Sequence, residues 1–152
     1  MIFIKNKHWL KYLIYILLIF GLIYLDSYVL RQRALYQKET FYTGLTYFTI
    51  SMIIKIGIGF VLGLDYIINE NTKEGSWKVN LPKIILMVVP ALYFSISYLA
   101  MYRFDGSTIY KILTYPMFIF MQNDSSFIFV SQLIVGYLLI TSFYKQSKEI
   151  ES

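Results

Sequence analysis

Residues Leu45–Leu64, LTYFTISMIIKIGIGFVLGL, decide the fold class. Roughly 20 residues at ~1.5 Å per residue are enough to cross the ~30 Å hydrocarbon core of a bilayer. Lys55 sits near the middle of this run. On a helix of 3.6 residues per turn, Gly44, Phe48, Ser51, Lys55, Gly59 and Leu62 share one face, with Gly63 at its edge. Thr46, Ile50, Ile53, Val61 and Leu64 make the opposite face. One side is thus small and polar around a charge, and the other suits lipid or apolar neighbours. Gly59-x-x-x-Gly63 has the spacing that lets two helix backbones approach closely. A charge at mid-membrane costs at least ~2.5 kcal/mol on insertion scales, so the lysine is expected to turn inward and find a partner.

The remaining composition agrees with this reading. The chain has 152 residues, of which 57% are hydrophobic and 15% charged, with a mean hydropathy of +0.56. A soluble domain carries about 25% charged residues. An all-α integral membrane protein of one domain, spanning 1–152, is expected. With no cysteine there are no disulfides, CxxC redox chemistry or thiolate metal sites, and the single histidine, His8, cannot build an imidazole metal centre. No cofactor motif is present: a P-loop, a GxGxxG after a strand, HExxH and GxSxG are all missing. The net charge of +5 is spread over ends and loops. That pattern argues against nucleic acid and for anionic lipid headgroups as its attraction.

Working outward, Met1–Lys11 is basic, and the apolar run Tyr12–Leu30 that follows is too long for a signal-peptide core of 7–15 residues. It reads as a first membrane helix, 12–30, with Asp26 inside its far end and Arg31 and Arg33 closing it. Gln32–Thr43 is a polar connector that carries helix at the bilayer surface. The second helix is 45–64. Asp65–Pro82 is the most soluble segment, rich in turn formers such as Asn69, Asn71, Gly75 and Asn80. A third helix is expected over 83–102, kinked at Pro90, with Ser95 and Ser97 bonding carbonyls. Residues 109–121, interrupted by Lys111 and Pro116, fit an interfacial or re-entrant segment, and 126–144 make the last helix. The expected architecture is four transmembrane helices plus that short segment.

Charge near the helix ends orients the chain. Lys5, Lys7, Lys11, Lys73, Lys78, Lys83, Lys145 and Lys148 fall on one side, and Arg31, Arg33, Lys38, Arg103 and Lys111 on the other. The excess on the first side puts both termini in the cytoplasm of a multi-pass cell-membrane protein.

The candidate binding residues are Lys55, Asp26, Ser51, Gly59 and Gly63, with no catalytic or metal-ligating set. Asp26 lies about four residues from the end of helix one, and Lys55 about ten residues into helix two. Their depths then differ by roughly 9 Å, which a snorkelling lysine spans. Asp105 and Asp124 sit in turn-like contexts on the same side as Asp26. Two functional readings follow. One is a non-enzymatic subunit that meets a partner protein or identical copies through the Gly59/Gly63 face. The other is a small transporter or lipid- or anion-binding protein with Lys55 as its intramembrane counter-charge. A membrane aspartyl peptidase is the remaining alternative, but the Asn, Gly and Asp-Arg motifs that accompany such aspartates are not found. A charge that faces a cavity favours the second reading, and one at a protein–protein contact the first.

Overall fold

The polar connector after the first apolar run does not interrupt its helix. The computed structural model describes residues 3–103, 108–121 and 126–146, and in it α1 (Phe3–Thr40) continues for 38 residues. Nothing between Gln32 and Thr40 is proline or glycine, so the backbone ladder has no reason to stop where the apolar residues do. The chain reverses at Phe41 and Gly44, both at φ 60°. Glycine carries no steric penalty in that left-handed region. The Arg33 Nε and Gln37 Nε2 donors both reach the Thr43 carbonyl, at 3.3 and 3.2 Å, and hold the connector down.

The second helix, α2 (Leu45–Asn71), has 27 residues and absorbs much of the expected soluble segment. Its exposed side includes Ile50 and Ile53, as the helical pattern requires. Leu62 is a correction, being 53% exposed while Gly63 is buried. The buried row follows steps of four through Ser51, Lys55, Gly59 and Gly63, because neighbouring helices pack along that ridge.

The third apolar stretch begins with α3 (Leu81–Lys83), capped by Asn80, whose side chain accepts from the Lys83 N–H at 3.1 Å. A π-helical turn, Ile84–Val88, follows, and α4 (Val89–Arg103) continues the rod. The expected disturbance at Pro90 therefore takes the form of one wide turn just ahead of it. The Val89 N–H reaches back to the Ile84 carbonyl, while Pro90 has no N–H to give. Ser95 and Ser97 bond the carbonyls of Ala91 and Phe94, each at 2.8 Å. Next, α5 (Thr108–Met121) has 14 residues and α6 (Ser126–Thr141) has 16. Among the described residues, three helical stretches are long and apolar enough to cross a bilayer: Trp9–Thr40, Leu45–Asn71 and Leu81–Met101. α6 is apolar but shorter.

A two-stranded antiparallel ribbon is the element the sequence did not announce. β1 (Ser76–Val79) pairs with β2 (Phe143–Gln146), with Trp77 opposite Lys145 and Val79 opposite Phe143. The last helix thus ends at Thr141, short of the expected 144. Lys83 Nζ stops it by donating to the Thr141 carbonyl at 2.9 Å and to its Oγ1 at 2.7 Å. A cation there also meets the negative end of the helix dipole. Buried Glu70 anchors the ribbon by accepting from the Lys145 backbone N–H at 3.0 Å and from Lys73 Nζ.

α2 lies between α1 and α6, α4 packs on α6, and α5 rests on α4. The rings of Phe94, Phe120 and Phe127 meet with centroids 5.5 to 5.8 Å apart and join α4, α5 and α6. The closest approach is between α2 and α6. A methyl on Gly59 would lie 2.1 Å from the Leu133 carbonyl oxygen, and one on Gly136 would lie 2.0 Å from that of Ile56. A methyl on Gly57 would meet nothing within 4 Å. Overpacking costs ~1–3 kcal/mol, whereas Gly→Ala in an open helix position gains up to ~1 kcal/mol. In detergent, Gly59→Ala and Gly136→Ala are expected to lower the melting temperature, and Gly57→Ala to leave it unchanged or raise it. Equal effects at Gly57 and Gly59 would contradict this packing.

Candidate functional site

Lys55 is buried, and its charge is met by Asp26 from α1. Nζ lies 3.0 Å from Oδ2 and 3.1 Å from Oδ1 of the carboxylate. Ser51, one turn earlier on α2, donates its hydroxyl proton to Asp26 and accepts from Lys55 Nζ. The pair expected from the helix depths is direct, with a serine bridging it. All three side chains are buried. An ion pair in such surroundings is held by its hydrogen bonds as much as by Coulomb attraction, since both ions have given up water. The Phe129 ring of α6 closes over the ammonium, with its centroid 5.5 Å from Nζ.

Above this cluster lies a cavity of about 360 Å³, lined by Arg33, Phe48, Lys55, Tyr98, Ile128, Phe129 and Gln132. These residues come from α1, α2, α4 and α6, so the cavity exists only when the bundle is assembled. Arg33 donates from NH2 to the Tyr98 hydroxyl at 2.9 Å. Its guanidinium stacks near Phe48 and Tyr98, whose rings are 4.3 Å apart. The length of the helix beyond Leu30 is what brings Arg33 here: continuing α1 carries it back over the start of α2. No carboxylate among the described residues pairs with Arg33.

Gln132 is 2% exposed, and its side-chain Nε2 has no hydrogen-bond partner among the described residues. A buried donor left unmade costs about 1–3 kcal/mol. A buried donor of this kind is ordinarily met by an acceptor from protein, water or a bound group. The sequence carried a signal for it: Gln132 is the one amide in Ser126–Thr141, and polar residues inside apolar spans tend to serve function. Arg33 and Tyr98 were harder to find. The arginine reads as a helix-end charge and the tyrosine as one of fifteen.

Gly59 and Gly63 do not join the cavity. Gly59 faces the Leu133–Tyr137 backbone, and a methyl on Gly63 would strike the Ile140 side chain. The face that the sequence offered to a partner or a second copy is therefore occupied by α6 of the same chain. Asp105 and Asp124 lie outside the described residues. Among the described residues, no group of three or more His, Cys, Asp or Glu side chains could hold a metal ion. No known protein family, curated protein or solved structure matches this chain.

Breaking a buried pair by removing one partner costs about 3–5 kcal/mol, because the other charge is left uncompensated. Lys55→Met and Asp26→Asn are each expected to lower the thermal stability in detergent strongly. The double variant should lose less than the sum of the two. Strict additivity would show that the two side chains do not interact.

Proposed function

We propose that this chain is a small multi-pass membrane protein that binds an anionic ligand in the Arg33–Lys55–Gln132 cavity. One observation carries the reading. The intramembrane lysine borders a cavity in which two cations, Arg33 and Lys55, stand against one carboxylate, Asp26, beside a buried amide donor without a partner. A non-enzymatic subunit role, expected from the short soluble segments and the lack of a visible catalytic set, would need a face other than Gly59/Gly63, which α6 fills. Lys55 itself is largely spent on Asp26. Its role in the reading is to hold the floor of the site, with Arg33 supplying the excess charge.

The same proposal includes four crossings, with both termini cytoplasmic and α5 lying at the far surface. The ribbon supports it, because pairing β1 with β2 keeps the middle loop and the C-terminal strand at one end of the bundle. The chain between them then has to cross an even number of times. The 14 residues of α5 reach about 21 Å at ~1.5 Å per residue, short of the ~30 Å core. The chain has no cysteine, so single probes are clean. An impermeant thiol reagent on intact cells should label Ser107→Cys and spare Ser76→Cys; the reverse pattern would overturn the orientation. For ligand binding, the protein is purified in mild detergent and examined by native mass spectrometry. Retention of an anionic lipid or small anion supports the reading, and a chain that keeps only zwitterionic lipid or a partner protein counts against it.

A further inference from the structure

The charge balance of the cavity restricts what can occupy it, given that it binds an anion as proposed above. Lys55 and Asp26 cancel at 3.0 Å, which leaves the single positive charge of Arg33. A guanidinium has five N–H donors in a fixed fork. The bonds to the Thr43 carbonyl and the Tyr98 hydroxyl use two of them. Gln132, on α6, adds a buried amide donor without a partner among the described residues, and Phe48, Ile128 and Phe129 give the lining its apolar part. A guanidinium fork with a second, amide donor in the same lining suits an oxygen-bearing anion with more than one acceptor atom. Charge matching then favours a single negative charge, because a dianion would exceed the one positive charge that Arg33 leaves uncancelled.

We infer that the site selects a monoanionic oxyanion group, of the phosphodiester type, held between the Arg33 guanidinium and the Gln132 amide above the Lys55–Asp26–Ser51 cluster. A lipid headgroup and a soluble phosphodiester share this chemistry. The volume of about 360 Å³ is at the small end of ligand pockets, and admits the charged group with little of what it is attached to. Arg33 and Gln132 are ligand-contacting residues here, while Asp26 and Ser51 position Lys55.

The test uses the full chain in nanodiscs and in detergent, read by native mass spectrometry and by competition. The probes are phosphatidylglycerol, a single phosphodiester; phosphatidylcholine, of no net charge; phosphatidic acid, a phosphomonoester; and water-soluble glycerophosphoglycerol. Wild type is expected to hold one phosphatidylglycerol per chain in preference to phosphatidylcholine and phosphatidic acid. Loss of a charge-assisted hydrogen bond, at ~1.4 kcal/mol per tenfold, predicts about a tenfold or greater weakening in Arg33→Gln, and a smaller one in Gln132→Leu. Arg31→Gln removes a charge from the exposed side of the same helix and is expected to leave retention unchanged. If Arg33→Gln does not fold, Arg33→Lys, which keeps the charge and loses the fork, should weaken retention severalfold. Glycerophosphoglycerol competing as well as the lipid identifies a soluble ligand, and its failure to compete identifies a lipid; either result supports the site. Equal losses in Arg31→Gln and Arg33→Gln, or stronger retention of phosphatidic acid, would overturn the monoanion assignment while leaving anion binding intact. Retention of no anion by wild type would overturn both readings.

Discussion

A buried lysine cannot be left without a partner, and much of this bundle follows from how that is avoided. Lys55 needs a carboxylate at its own depth, and the only helix that delivers one among the described residues is α1, through Asp26. Placing Asp26 there fixes the rotation of α1 about its axis and its height against α2. Ser51 fits because it is one turn from Lys55 on the same face, where a hydroxyl can donate to the carboxylate and accept from the ammonium. Once that register is set, the continuation of α1 past the apolar run brings Arg33 over Phe48 and Tyr98. The upper cavity is a consequence of the lower ion pair.

The other constraint is close packing. α2 and α6 meet where glycines from both helices leave room, and main-chain atoms of one helix lie where a side chain of the other would be. Membrane helices gain nothing from excluding lipid as such, so close van der Waals contact has to supply the attraction. The contact occupies the half of α2 nearer Gly63, while the polar cluster occupies the half nearer Gly44. The two halves of one helix face do different work: the first binds the bundle together, and the second lines a space within it.

The helical class, the apolar runs and the inward lysine were legible in the sequence because hydrophobicity and helical period are local properties. Asp26 was also legible, since counting residues from two helix ends gives depth without any knowledge of packing. Helix boundaries were less so. α1 and α2 run well beyond their apolar cores because polar residues such as Gln32, Arg33 and Asn69 do not stop a helix merely by being polar. The ribbon was hidden for another reason: β1 and β2 are far apart in the chain, and neither alternates clearly enough to be read without its partner. The glycines showed that some helix would come close, but not which one. Arg33, Tyr98 and Gln132 come from three helices, and no spacing rule joins residues whose proximity depends on the tertiary arrangement.

The pairing of β1 with β2 also bears on how the molecule is made. The α1–α2 hairpin, with its ion pair, needs only the first half of the chain and can close while synthesis continues. Gly59 must wait for Gly136, and the strand that fastens the end of the bundle follows α6 in the chain. Until then the small-residue face of α2 has no helix against it. The ribbon joins the segment after α2 to the segment after α6, so its formation reports that α6 has arrived in the correct place.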